Sequence, residues 1–200
     1  TVNVILTKKT YTITATAGAG GNINPAGSVQ VEHGSNRLFN ITPNTGYEIE
    51  DVKVDGVSIG AVSTYNFTNV TTNHAIHATF RLKSYTIVVS ANPPAGGTIT
   101  GAGSYDHGDT VDLVAAANEG YEFVNWTENG VQVSTNAAYS FTATANRTLV
   151  ANFRLKTYTI TATAGTGGSI NPAGSVNVTH GSNQSFTITP DTGYDIEDVK

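Results

Sequence analysis

The sequence contains no cysteine and no methionine, and only 12 % of its 200 residues are charged. The lack of cysteine excludes disulfides, thiolate metal sites and cysteine nucleophiles. The formal net charge of −5 leaves no dense positive surface of the kind that a nucleic-acid backbone requires. No apolar run reaches the roughly 20 residues that a transmembrane helix needs. These absences argue against nucleic acid as a partner and against membrane insertion within this segment.

Threonine, asparagine, glycine and serine take the place of the missing charges. Threonine is β-branched and favours strands, whereas glycine and asparagine accept the positive φ of tight turns. The hydrophobic share of 38 % is enough for a packed core. No segment combines helical periodicity with capping residues, so the composition predicts an all-β protein.

The clearest feature of the sequence is an internal repeat. Tyr11 recurs as Tyr85 and Tyr158, at spacings of 74 and 73 residues. The join between successive copies is written three times, as LTKKTY at 6–11, FRLKSY at 80–85 and FRLKTY at 153–158. Because no Gly/Ser-rich or Pro-rich linker separates the copies, we expect an elongated array of closely joined repeats.

The repeat predicts four segments. These are the closing strand of a preceding repeat at 1–10, repeat 1 at 11–84, repeat 2 at 85–157 and an incomplete repeat 3 at 158–200. The first residues match the end of repeat 1, with Val2, Val4 and Leu6 in the places of Ile76, Ala78 and Phe80. Two explanations remain open: the chain is a slice of a longer array, or residues 1–9 of one copy add a strand to repeat 3 of the next.

Alternating residues predict small antiparallel sheets, arranged for example as a small β-sandwich. Phe39 and Ile41 have apolar counterparts in the other repeats while their neighbours vary, as burial of one face requires. The apolar phase changes near 50–51, which predicts a β-bulge. Asp-Gly at 55–56 and Asn-Gly at 129–130 predict two-residue type I′ hairpins.

The segment GYEFVNW at 120–126, followed by an Asn-Gly turn and a closing ANF at 151–153, resembles the internalin-type B-repeat family and its divergent relatives. Repeats 1 and 3 depart from that pattern, because Val52 and Val199 stand where repeat 2 has Trp126. The resemblance implies tandem β-sheet units, β-grasp-like in form, in secreted or surface-anchored proteins of bacteria and archaea. It also implies a role as spacer or adhesive stalk.

His33, His107 and His180 recur at equivalent places, but their acidic neighbours vary between copies. Each lies beside a glycine at a predicted turn, so we interpret them as turn residues and predict no metal, cofactor or catalytic site. His74 and His77 occur in repeat 1 alone and fall on opposite faces of a strand, so they cannot chelate one metal together.

Two kinds of residue point to ligands or modification. Trp126 offers a surface for sugar stacking, although valine at the equivalent positions favours a core site. The Asn-x-Ser/Thr motif marks candidate glycosylation sites at Asn40, Asn66, Asn69, Asn125, Asn146, Asn177 and Asn183.

Together these patterns predict a non-enzymatic stalk, spacer or filament segment of a secreted or cell-surface protein. Its expected partners are neighbouring repeats or copies of itself. The alternative is an adhesive module that binds surface glycans or proteins.

Overall fold

A computed structural model describes the chain from Thr1 to Lys200. It confirms an all-β fold built of small sheets in tandem repeats. The single helical element is a 3-10 turn at Pro94–Gly96. No helix in the structure has the length and apolar character that a bilayer crossing requires.

Repeat 1 contains eight strands in two sheets. One sheet has the order β3-β1-β8-β5-β6 and the other β2-β4-β7. The strands are β1 (Thr10–Ala17), β2 (Gly21–Asn24), β3 (Gly27–Glu32), β4 (Arg37–Pro43), β5 (Tyr47–Val54), β6 (Val57–Ser58), β7 (Thr64–Phe67) and β8 (His74–Leu82).

Repeat 2 has the same plan, with sheets in the orders β11-β9-β16-β13-β14 and β10-β12-β15. Its strands are β9 (Ser84–Asn92), β10 (Gly97–Thr100), β11 (Gly103–Asp106), β12 (Thr110–Ala117), β13 (Tyr121–Glu128), β14 (Val131–Ser134), β15 (Ala138–Thr142) and β16 (Arg147–Leu155). Repeat 3 keeps two pairs, β17-β19 and β18-β20. These strands are β17 (Thr157–Ala162), β18 (Gly168–Asn171), β19 (Gly174–Thr179) and β20 (Thr187–Pro190).

One strand pair in each complete repeat is parallel. The first strand β1 pairs in parallel with the closing strand β8, and β9 does the same with β16. The sequence pattern predicts antiparallel sheets and gives no sign of this pair. The alternation of side chains is the same in both kinds of ladder, so the pattern carries no signal of direction.

The two sheets of repeat 1 enclose one core. Ile13, Val52 and Ile76 come from the five-stranded sheet and Phe39 and Ile41 from the three-stranded one, and all are buried in a single cluster. Since the structure contains no α-helix, the two-sheet sandwich describes the repeat better than a grasp fold does.

Repeat 2 has an equivalent core that is built from different side chains. Trp126 stands where repeat 1 has Val52, and it is fully buried. Two other buried positions carry smaller side chains in repeat 2: Ala115 replaces Ile41, and Ala143 replaces the buried Val70. The smaller residues offset the larger one, which cores tolerate better than a single enlargement.

The predicted local irregularities are present. The ladder between β5 and β8 shifts register between Ile49 and Asp51, and the β13–β16 ladder does so between Phe123 and Asn125. Both hairpins have positive φ at their two central residues, as a type I′ turn requires.

The chain divides into two compact units that do not coincide with the sequence repeats. The first consists of Thr1–Thr86, Ser104–Thr110 and Thr142–Asn146. The second consists of Ile87–Gly103, Val111–Phe141 and Arg147–Lys200. The first unit therefore contains repeat 1 together with the start and two short internal segments of repeat 2, so the join at Lys83 lies inside a compact body.

Replacement of Gly56 by valine should lower the free energy of unfolding by about 1–2 kcal/mol, because a β-branched side chain resists a φ of +83°. Gly56→Asn is the matched control, since asparagine tolerates the left-handed region and no atom lies within 4 Å of the place that a Cβ would take at this site. Urea denaturation measures both. Equal midpoints for the two variants would contradict the hairpin assignment.

Candidate functional site

A set of contacts recurs at the join between successive repeats, directly after the closing strand. The backbone of Lys83 is held on both sides: its N–H donates to the carbonyl of Gly46 at 2.8 Å, and its carbonyl accepts from the N–H of His107 at 2.8 Å. Gly46 belongs to the turn before β5 in repeat 1, and His107 to the turn after β11 in repeat 2. One residue therefore ties a turn of each repeat to the connecting strand.

The second join repeats this geometry. Lys156 donates to the carbonyl of Gly120 at 2.8 Å and accepts from the N–H of His180 at 2.8 Å. At the beginning of the chain, the carbonyl of Lys9 accepts from the N–H of His33, also at 2.8 Å. The recurrence shows that the bonds belong to the repeat and not to one local sequence.

The recurring histidines cover glycines. A Cβ atom at Gly46 would overlap the imidazole of His107, and one at Gly120 would overlap that of His180. On its other side each imidazole meets the tyrosine of its own repeat, with ring centroids 6.0 Å apart for Tyr85 and His107. The imidazole thus fills the space between two repeats, and only glycine leaves room for it.

The other residues of the FRLK motif complete the join. Phe80 covers Gly21, where a Cβ would overlap the ring. Arg81 donates from Nε to Glu48 at 2.7 Å, and Arg154 pairs with Glu122 at the same distance. These ion pairs are exposed, so each contributes about 0–1 kcal/mol. The backbone bonds and the histidine packing are the stronger part of the join.

An open cleft of about 580 Å³ lies beside the first join. Because Arg81 binds Glu48 through Nε, its terminal nitrogens remain available as donors in this cleft. The lining of the cleft is mainly polar and consists of Glu48, Arg81, Leu82, Lys83, Ser84, Tyr85, Asp106 and Asn146.

The sequence profile of a divergent InlB B-repeat domain matches three consecutive stretches, at 11–84, 87–157 and 158–198. The chain belongs to the divergent InlB B-repeat family. No curated protein matches it. Tandem B-repeats of this kind are surface-protein modules and are typical of bacterial surface proteins.

A second group of contacts recurs in each complete B-repeat, at the start of its closing strand. In repeat 1, His74 Nδ1 lies 2.7 Å from Asp55 Oδ2 of the hairpin, and its ring lies 4.9 Å from that of Phe67. In repeat 2, Arg147 takes the place of His74: it donates to Glu128 at 2.8 Å and lies 4.2 Å from the centre of the Phe141 ring. Different residues therefore form the same clasp between hairpin, closing strand and aromatic ring.

The clasp of repeat 1 links a carboxylate, an imidazole and a hydroxyl group in the same order as a hydrolase triad, because His74 Nε2 also lies 3.3 Å from the hydroxyl of Thr72. The clasp in repeat 2 argues for a structural role instead, since arginine cannot act as a general base at neutral pH. No group of three His, Asp or Glu side chains in the structure is arranged to hold a metal ion.

The candidate ligand and modification residues lie apart from the join, with one exception. Trp126 is fully buried and its Nε1–H donates to the carbonyl of Ala137 at 3.2 Å, so its ring has no free face for a sugar. Asn125 is half-buried and donates to Gln132, whereas Asn146 lines the cleft and accepts from the N–H of Thr86 at 2.8 Å. The remaining exposed acceptor positions are Asn40, Asn66, Asn69, Asn177 and Asn183.

The sequence pattern indicates turns for the recurring histidines, but the inference from it missed that they bridge two repeats. Gly46 and His107 return together as Gly120 and His180. Every position of a tandem repeat recurs, so this recurrence assigns both turns to the repeat and gives no sign of the contact between them.

Gly46→Ala should lower the free energy of unfolding by about 2–4 kcal/mol, because it adds overlap with His107 to the strain of a φ of +82°. Gly34→Ala is the matched control: it has the same φ of +82° but meets only Asn69, at 3.7 Å, and should cost about 1–2 kcal/mol. In a His107→Ala background the excess cost of Gly46→Ala should disappear. An excess that persists in this double-mutant cycle would show that the histidine does not occupy the glycine site.

The clasp of repeat 2 predicts a specific dependence on pH. Hydrogen bonds from Arg147 hold the pKa of the Glu128 carboxyl below its usual value, although partial burial acts to raise it. A lowered pKa in the folded state stabilises the protein above the unfolded value of about 4.3, and this stabilisation is lost as the pH falls through the folded pKa.

The stability advantage of the native protein over Glu128→Gln should therefore be constant above about pH 5 and shrink towards pH 2. Urea denaturation at a series of pH values measures it, with Glu119→Gln, at an exposed position, as the control. Parallel pH profiles for the native protein and Glu128→Gln would contradict the proposed ion pair.

Proposed function

We propose that this chain is a non-enzymatic stalk or spacer segment of a surface protein, located outside the cell. The observation that carries the proposal is the join: Lys83 and Lys156 each bind a turn of the repeat before and a turn of the repeat after. A backbone held in this way has little freedom to act as a hinge, because bending would break hydrogen bonds and expose the glycine under the imidazole.

The direction of the strands supports the same proposal. Since β1 and β8 run parallel, the chain enters a repeat at one end of the sheet and leaves it at the opposite end. The nine residues of β8 extend over about 30 Å at the usual rise of a strand. Within a repeat, the entry and the exit of the chain therefore lie at opposite ends of the sheet, which suits a spacer.

A second candidate is a ligand-binding module, and the cleft at the first join favours it. The cleft offers unpaired donors of Arg81 beside Ser84 and Tyr85, a set that suits a polar ligand such as a glycan. Titration of a glycan panel against the amide resonances of the cleft residues tests this candidate, with Arg81→Ala as the control. Resonances that no glycan of the panel shifts would contradict the binding function, and the spacer function would remain as the only proposal.

Small-angle scattering tests the spacer function. The native chain should give an elongated particle with a narrow distribution of maximum dimensions, because the joins contain no slack. Insertion of a six-residue Gly/Ser linker between Lys83 and Ser84 should broaden that distribution. A distribution in the native chain as broad as in the insertion variant would refute a stiff array.

A further inference from the structure

The chain enters each complete repeat on one strand and leaves it on the direct neighbour of that strand. In repeat 1 the register of β1 and β8 runs from Ile13 opposite His74 to Ala17 opposite Ala78. In repeat 2 the same kind of parallel ladder joins β9 to β16. The two strands through which a repeat connects to the rest of the chain are therefore hydrogen-bonded to each other.

Tension along the chain would load this ladder in shear. Because the strands run parallel, the chain enters at the start of β1 and leaves at the end of β8, at opposite ends of the ladder. A pull on both ends slides one strand along the other, and the evenly spaced hydrogen bonds of the ladder resist together. A hairpin that is pulled apart at its open end behaves differently, because its bonds meet the force one after another.

Asparagine side chains extend the ladder at its start. Before the first backbone pair of repeat 1, the N–H of Thr12 donates to Asn73 Oδ1 at 2.9 Å. The bond recurs in repeat 2, where the N–H of Thr86 donates to Asn146 Oδ1 at 2.8 Å. The asparagine before the closing strand therefore belongs to the ladder in both repeats.

Other side chains join the same two strands on the outer face of the sheet. Thr16 and His77 are partners in the register of repeat 1, and Thr16 Oγ1 lies 2.7 Å from His77 Nδ1. Asn92 and Asn152 are partners in repeat 2, and Asn92 Nδ2 donates to Asn152 Oδ1 at 3.1 Å. The residue types differ, but both repeats have a side-chain hydrogen bond across the ladder.

The core covers the inner face of the ladder. Ile13 and Ala15 of β1 and Ile76 and Ala78 of β8 expose at most 1 % of their surface. Water that reaches a strained hydrogen bond offers its groups a replacement partner, whereas a dry core offers none. The ladder is therefore protected on this face against the loss of single bonds.

We infer that the β1–β8 and β9–β16 ladders are mechanical clamps, which keep each repeat folded while the chain is under tension. The inference rests on the proposed stalk or spacer function and adds to it the capacity to carry load. Lys83 alone separates the end of β8 from the start of β9, so tension passes directly from one clamp strand to the next. The other strands of a repeat bear load only after its clamp has broken.

A single-molecule pulling experiment compares two directions of force. Because the chain has no cysteine, two engineered cysteines are its only thiol attachment points. Thr10→Cys with Leu82→Cys loads the β1–β8 ladder in shear. Thr10→Cys with Glu32→Cys loads the β1–β3 hairpin at its open end, where these two residues are partners, and peels it. The first rupture should need a several-fold higher force in the shear geometry, and equal forces in both geometries would overturn the inference.

Two asparagines give a matched pair of substitutions for the shear geometry. Asn73 Oδ1 accepts the N–H of Thr12 in the ladder, and Asn36 Oδ1 accepts the N–H of Asn69 outside it, both at 2.9 Å. At a fixed force Asn73→Ala should unfold about fivefold faster than the native chain, as the loss of one ordinary hydrogen bond predicts. Asn36→Ala should unfold at the native rate.

Circular dichroism verifies that both variants are folded before they are pulled. Equal unfolding rates for the two variants would place the barrier outside the ladder and overturn the inference. The scattering test of the spacer function has an independent outcome, because it measures the chain without load. An array that is stiff in scattering but yields at low force in the shear geometry would refute the clamp and leave the spacer function intact.

Discussion

The parallel pairing of the first and closing strands is the constraint on which each repeat depends. It joins residues that are some 60 positions apart, such as Ile13 and His74, and places the closing strand in the centre of its sheet. The central strand carries Ile76 and Ala78 into the core and holds β5 on its other edge. Both residues belong to the cluster that the two sheets of repeat 1 share.

The join follows from that pairing. Since β8 ends at the far end of its sheet, the next strand starts there after one residue, and the turns on either side of Lys83 come within hydrogen-bonding distance of its backbone. A glycine in one turn and a histidine in the other then fit together as a small residue and a ring. Three positions of the motif FRLK therefore make contacts at or near the join: Phe80 with Gly21, Arg81 with Glu48, and Lys83 through its backbone.

Much of this fold could be predicted from the sequence, because one-sided burial leaves a period-2 pattern and positive φ leaves Asp-Gly and Asn-Gly pairs. Phe39, the bulge near Glu50 and both hairpins were accessible in this way. The direction of β8 and the contact between Gly46 and His107 were not, since both depend on distant residues that local periodicity does not relate. The clasp was hidden for another reason: His74 and Arg147 share a position but not a residue type.

The cores of repeats 1 and 2 are filled by side chains of different sizes, and this difference has a consequence for folding. Adjacent copies with identical cores can trade equivalent strands and become trapped in misassembled states. If β13 took the place of β5 in repeat 1, the indole of Trp126 would enter a core that has Ile41 and Val70 in place of alanines. If β5 took the place of β13 in repeat 2, a cavity would remain around Val52. Either exchange is destabilising, by overpacking or by loss of contacts. The divergence of repeat 2 thus separates the folding of neighbours that are otherwise built alike.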